Sequence, residues 1–263
     1  LFDRIRDASS LWNVVQFEKP GKSNSEPISF YRGSVSRDAQ FEISRVALTL
    51  KSDWISEQIN VGIHHASKSS VVGDSDSLYV GADTSYFYSF SKQGNLNWKT
   101  YLGDASKGIH STAAVDDDFV YIGSYKGTVY KLDKQNGIIV WMRTIGDTVG
   151  ASPLIDRDTI TFSVETNSLN GYLVRLNKKN GDIIWMSPPL GEQAHSSPAL
   201  DVPSGTLVLG VNNSTIQGFS YSSGRRLWSI GVNGPVKSTP VVDGGIGYVT
   251  TWGKELIAFN MDK

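Results

Sequence analysis

The sequence predicts an all-β protein, a β-propeller built from four-stranded blades. Three observations predict this fold. Tryptophans recur at a nearly constant spacing, a glycine stands four residues before most of them, and each period contains four short apolar runs separated by turns. The chain has 263 residues, of which 39% are hydrophobic and 11% aromatic. This composition supports a buried core and excludes a predominantly disordered chain.

The tryptophan repeat sets the period of the chain. The tryptophans in register are Trp54, Trp98, Trp141, Trp185 and Trp228, separated by 44, 43, 44 and 43 residues. The glycines that precede four of them are Gly94, Gly137, Gly181 and Gly224. Tryptophans scattered through the core of a β-sandwich do not explain a fixed register. We therefore expect these five side chains to lie in outermost strands and to fill the gaps between blades.

The second period illustrates the four strands expected in each blade. Apolar runs predict strands over residues 111–115, 119–124, 128–132 and 138–145. The last two runs are joined by Asp133-Lys-Gln-Asn-Gly137, a hairpin loop whose glycine suits a position of positive φ. The other periods align with this one, so each supplies one blade.

The repeats resemble the PQQ-like (quinoprotein-like) propeller repeats. The strings that carry the resemblance are Ser152-Pro-Leu-Ile155, Ser197-Pro-Ala-Leu200 and Thr239-Pro-Val-Val242, together with the hairpins that end in tryptophan. Phe30-Tyr31-Arg32-Gly33 is similar to the segment that often precedes the first blade of such proteins. The resemblance covers about residues 28–263. It implies the fold, and it leaves function open because the family contains both enzymes and scaffolds.

The number of blades follows from where the chain ends within a period. The fifth period runs over residues 237–263 and lacks an outermost strand, whereas Trp54 has no preceding blade. We expect Ser44–Ile59 to supply the missing strand beside Glu255–Phe259, which gives five blades and joins the two chain ends. The alternative is a fragment of a seven- or eight-bladed ring, which the family resemblance favours.

Two regions are expected, an N-terminal segment over residues 1–27 and a propeller over residues 28–263. Apolar residues at Leu1, Ile5, Ala8, Trp12 and Val15 predict a short amphipathic helix, followed by a polar linker. Two interpretations of this helix stay open: it packs on the propeller, or it docks on a partner protein or a membrane surface.

The predicted innermost strands, which line the channel, contain no carboxylate. They read 69–72, 111–115, 151–155, 196–200 and 238–242. Acidic residues such as Asp74, Asp116 and Asp156 follow in the turns, where we interpret them as ordinary turn residues. The chain has no cysteine, and the cofactor residues of the quinoprotein dehydrogenases have no match in it. We therefore expect no catalytic residues, no cofactor and no metal site.

A ring of basic residues is expected at one mouth of the channel. Four basic residues occupy the same repeat position, just before the innermost strands, and they are Lys68, His110, His195 and Lys237. Gly150 holds this position in the third period and leaves a gap. The serines that follow four of these positions would add hydroxyl donors. The ring is either a solvated rim or a cationic funnel that binds an anion or an acidic side chain.

The function that the sequence favours is a non-catalytic protein-binding scaffold. The resemblance extends to the propeller lipoprotein of the outer-membrane β-barrel assembly machinery, which implies a periplasmic or outer-membrane-associated location. Partner proteins would bind the propeller loops or the N-terminal helix. The net charge of −1 gives no support for nucleic-acid binding, and no apolar run is long enough to cross a membrane. The alternatives are a channel-active enzyme, as a quinoprotein relative or polysaccharide hydrolase, and the ligand-sensing domain of a larger receptor.

Overall fold

The structure, a computed structural model, describes residues 52–60, 68–103 and 108–261, and the regular elements of these ranges are all β-strands. Nineteen strands form five sheets, in which consecutive strands pair antiparallel. Blade 1 contains β1 (Val72–Gly73), β2 (Ser77–Gly81), β3 (Tyr86–Ser91) and β4 (Leu96–Tyr101), and blade 2 contains β5 (Ala114–Val115), β6 (Phe119–Gly123), β7 (Thr128–Asp133) and β8 (Ile139–Thr144).

The remaining blades repeat this order. Blade 3 contains β9 (Leu154–Ile155), β10 (Thr159–Thr166), β11 (Asn170–Asn177) and β12 (Ile183–Met186). Blade 4 contains β13 (Ala199–Asp201), β14 (Thr206–Val211), β15 (Thr215–Ser220) and β16 (Arg226–Gly231). The fifth sheet contains β17 (Val241–Asp243), β18 (Ile246–Thr250) and β19 (Leu256–Asn260). The all-β architecture of antiparallel blades is therefore confirmed, with four strands in each of blades 1 to 4 and three in the fifth sheet among the described residues.

The hairpin before each tryptophan is held by local hydrogen bonds. In blade 2 the Asp133 carboxylate accepts hydrogen bonds from the amides of Gln135 and Asn136, and Gly137 has a φ of 73°. The pairing of β7 with β8 then shifts by one residue between Lys131 and Leu132. Short polar residues and a glycine suffice for this turn, which explains why its position was predictable from the sequence.

The innermost strands are shorter than predicted because their first residues bond to the next blade. The Thr112 amide donates to Ser152 Oγ at 3.0 Å, and the Ser152 amide donates to Ser197 Oγ at 2.9 Å. The same bond joins Ser70 to Thr112 and Ser197 to Thr239. A belt of serine and threonine hydroxyls therefore links the five sheets around the channel and replaces the sheet ladder at this level.

The tryptophans of blades 1 to 3 lie between neighbouring blades. Trp98 Nε1 donates to the carbonyl oxygen of Lys134 at 3.0 Å, and Trp141 Nε1 donates to that of Lys178 at 3.1 Å. Trp185 makes the equivalent bond to Tyr221. Each indole ring also packs on the hairpin glycine of the next blade, and a Cβ at that glycine would collide with the ring. The regular spacing of these tryptophans therefore reflects one contact that recurs between successive blades.

Trp54 makes the same contacts with the hairpin of blade 1 that Trp98 makes with the hairpin of blade 2. Its Nε1 donates to the carbonyl oxygen of Lys92 at 3.0 Å, and a Cβ on Gly94 would lie 2.5 Å from its ring. These contacts repeat, at the hairpin of blade 1, the contacts that Trp98 makes at the hairpin of blade 2. Residues 52–60 form no strand, however, and β19 borders no further strand among the residues that the structure describes.

The expected pairing of residues 44–59 with Glu255–Phe259 is therefore not observed in the described part of the chain. The count of five closed blades is not confirmed and stays a prediction. The predicted amphipathic helix and its linker, over residues 1–27, lie outside the described residues.

The turn aspartates do more than the sequence indicated, because they also join blades. Asp74 Oδ2 of blade 1 lies 3.2 Å from Lys134 Nζ of blade 2, and Asp116 Oδ2 lies 2.7 Å from Lys178 Nζ of blade 3. Asp116 also accepts a hydrogen bond from the amide of Phe119 in its own turn. One carboxylate thus shapes a turn and forms an ion pair across the blade interface.

Replacing Asp74 with asparagine should reduce the loss of stability in acid. Burial alone raises the pKa of Asp74, but the amides of Asp76 and Ser77 and the Lys134 ammonium hold it below the ordinary value of 3.8. A depressed folded-state pKa contributes stability above the unfolded-state value, and this contribution is lost as the pH falls through the folded-state pKa. Urea unfolding of both proteins between about pH 6 and about pH 2 measures the difference. Parallel pH profiles for the two proteins would contradict this expectation.

Candidate functional site

The four basic residues predicted at the channel mouth all lie in the described part of the chain. Each precedes the first strand of its blade by a few residues, and the serine that follows it is used within the blade. Ser111 Oγ accepts a hydrogen bond from the Gly123 amide at 3.1 Å, and Ser238 Oγ accepts one from the Thr250 amide at 3.2 Å. These hydroxyls hold the first two strands together, so the expected contribution of the serines to anion binding is not supported.

Both histidines of the ring face carboxylates of the preceding blade. His195 Nδ1 lies 2.7 Å from Glu165 Oε1, and the Glu165 side chain is 6% exposed. His110 Nε2 lies 3.2 Å from Asp83 Oδ1, whose side chain is 2% exposed. The His110 ring also packs against Tyr125, with 4.0 Å between ring centroids. Each pair therefore links two blades through a buried acid and a partly buried imidazole.

The acids belong to a second set of equivalent positions, which the sequence pattern does not reveal. Its members occupy equivalent positions in the five sheets. Each follows, by two residues, the glycine, serine or threonine at which the aligned part of the second strand ends. The members are Asp83, Tyr125, Glu165, Asn212 and Trp252. Three of its members contact basic residues of the predicted ring: Asp83 contacts His110, Glu165 contacts His195, and Trp252 contacts Lys237. Tyr125 occupies the space beside Gly150, where a Cβ would lie 3.1 Å from its ring. Lys237 Nζ lies over the Trp252 ring, 4.0 Å from its centroid.

The surroundings of the four basic residues carry a mixed charge and not a purely positive one. Two of the four basic side chains face carboxylates, a third lies on an aromatic ring, and Lys68 is exposed. Anion binding by the ring stays a prediction, and the two acids reduce the net positive charge on which it depends. The described residues contain no group of three or more side chains suited to a metal ion, and no described helix is long and apolar enough to cross a membrane.

Comparison with known proteins identifies relatives of this fold. The family model described as outer membrane protein assembly factor BamB matches residues 68–232 and, again, residues 169–263. BamB from Yersinia pestis is 22% identical over 187 residues, which are 64% of this chain and 47% of that protein. The chain thus spans about half the length of the curated relative that it matches.

Solved structures show the same architecture. BamB from Moraxella catarrhalis superposes with a TM-score of 0.60 at 19% identity, over 76% of this chain and 60% of that chain. Quinohemoprotein alcohol dehydrogenase from Comamonas testosteroni superposes with a TM-score of 0.55 at 14% identity, over 74% of this chain and 43% of that chain. Identities this low establish the fold alone. The family model, by contrast, matches residues across all five described sheets, so the chain belongs to the PQQ-like propeller family of outer membrane protein assembly factor BamB.

Proposed function

We propose that this protein is a non-catalytic, protein-binding scaffold that acts in outer-membrane protein assembly, on the periplasmic side of the cell envelope. The observation that carries the proposal is the family match over residues 68–263, whose description names an assembly factor. The curated relative and one of the solved relatives carry the same name. The similarity to quinohemoprotein alcohol dehydrogenase, at 14% identity, is a similarity of the propeller fold alone.

The chemistry of the channel mouth supports a structural role for its polar side chains. His110 and His195 lie against buried carboxylates of the preceding blade, and the serines beside them bond to neighbouring strands. Groups that are used between blades are poorly suited to contact a substrate in the channel. The proposal therefore assigns binding to the loops and outer surfaces of the propeller and assigns no reaction to the channel.

Deletion of the gene in the strain that encodes this protein tests the proposal. We expect less folded outer-membrane protein in the deletion strain, because assembly would lose a component that holds other proteins together. Quantitative analysis of isolated outer membranes measures this amount. Expression of the chain from a plasmid should restore it, and an empty plasmid is the control. An unchanged outer-membrane protein profile in the deletion strain would remove the assembly function.

A further inference from the structure

The outermost strands of blades 2 and 3 expose an unusual number of apolar side chains. Met142 on β8 is 65% exposed and Ile184 on β12 is 48% exposed. The full set, which we call the apolar edge, is Ile139, Val140, Met142, Ile183, Ile184 and Met186. Apolar groups of this size lose water favourably on contact, so a cluster of them on the surface indicates an interaction site.

The repeat itself does not require these residues. The positions on either side of the tryptophan are Asn97 and Lys99 in blade 1, and Ser229 follows the tryptophan in blade 4. Of the large hydrophobic residues in those two strands, β4 exposes Leu96 and Tyr101, and β16 exposes Leu227. Polar residues are therefore compatible with an outermost strand of this fold, and the apolar edge is particular to two adjacent blades.

Contacts between the two blades fix β12 against one face of β8. Arg143 on β8 lies 2.8 Å from the Asp182 carboxylate, which directly precedes β12. Trp141, on the same face of β8 as Arg143, donates a hydrogen bond to the Lys178 carbonyl oxygen in the hairpin before β12. Both contacts hold the start of β12 against the face of β8 that carries Trp141 and Arg143, so Val140 and Met142 lie on the opposite face, which these contacts leave uncovered.

The main chain of β8 also lacks the usual protection of an edge strand. β8 ends the sheet of blade 2 among the described residues, so one side of its backbone pairs with no other described strand. Edge strands are normally protected from pairing by charged residues, proline or strong bulges. The single charged residue of β8 is Arg143, and its charge is directed to Asp182.

We propose that β8 is a docking site for an extended segment of a partner protein, which adds a fifth strand to blade 2. The inference rests on the proposed function as a protein-binding scaffold and names its binding surface. The unpaired backbone of β8 selects a strand because a strand offers amides and carbonyls at the matching repeat. The exposed side chains of Val140 and Met142 select alternating apolar residues on that strand.

The test uses the ¹⁵N-labelled full chain and a peptide of about ten residues with alternating valine and threonine and a lysine at each end. We expect amide shifts concentrated in residues 139–144 and binding weakened about tenfold or more by Met142→Lys. Lys99→Ala, at the equivalent position of β4, should leave binding unchanged. The same peptide methylated at its backbone nitrogens should not bind, because it keeps its side chains and loses its donors.

Four results would overturn the proposal. These are no binding of the peptide, equal binding of the methylated peptide, equal binding by the Met142→Lys protein, and concentration-dependent dimerisation abolished by Met142→Lys. The last would identify a second copy of this chain as the occupant. Met142 is exposed, so its replacement should not prevent folding, and an unchanged unfolding midpoint verifies this. The gene-deletion phenotype does not depend on which surface binds, so a failure here is distinguishable from failure of the assembly function.

Discussion

Trp98→Ala should lower the free energy of unfolding by about 3–5 kcal/mol. The side chain is 8% exposed, and its ring lies 6.1 Å from those of Tyr79 and Phe87. Truncation opens a cavity between blades 1 and 2 and leaves the Lys134 carbonyl oxygen without its indole donor. Urea unfolding of the two proteins, followed by far-ultraviolet circular dichroism, measures the difference.

The chain contains its own control for this substitution. Trp252 is 67% exposed, so Trp252→Ala removes a tryptophan of the same size from the surface. Its effect should stay within about 0.5 kcal/mol, as is usual for surface changes. Trp98→Phe should lie between the two, because it keeps part of the packing and loses the hydrogen bond. Equal losses for Trp98→Ala and Trp252→Ala would show that the interblade position of Trp98 does not matter.

The features that were predictable from the sequence depend on residue types that one geometry demands. A positive φ in the hairpin favours glycine, and a flat, wide gap between blades favours tryptophan, so Gly137 and Trp98 repeat visibly. The equivalence of the four basic positions was predicted in the same way, by counting from the tryptophans, and their ring at a channel mouth stays a prediction. Local rules therefore predicted the period, the hairpins and the equivalence of blade positions.

The features that were missed depend on contacts between blades. The set of equivalent positions that contains Asp83 and Glu165 has a different residue in every blade, so its register is recognisable only once the second strands are placed. Each acid meets a histidine 27 or 30 residues later in the chain, a distance over which the sequence shows no pattern. The run over 138–145 was predicted correctly as a strand, but a continuous apolar run does not reveal that Met142 is exposed.

Gly123→Ala should destabilise the protein by about 1–3 kcal/mol or more, although alanine is compatible with the backbone of a strand. Gly123 ends β6 against blade 3, and a Cβ there would lie 3.0 Å from Val149 Cβ and still closer to one of its methyl groups. Val149 is fully buried and β-branched, so it has little freedom to move away. The two blades would have to separate to admit one methyl group.

A double-mutant cycle assigns this loss to the blade interface. In a Val149→Ala background the closest methyl groups are absent, so Gly123→Ala should cost less than it does in the wild type. The matched control is Gly231→Ala, because a Cβ at Gly231 meets nothing within 4 Å, and its effect should stay within about 0.5 kcal/mol. Urea unfolding of the wild type, both single variants and the double variant gives the coupling energy. Strict additivity of the two substitutions would mean that the loss arises within blade 2, and that close packing at Gly123 does not hold blades 2 and 3 together.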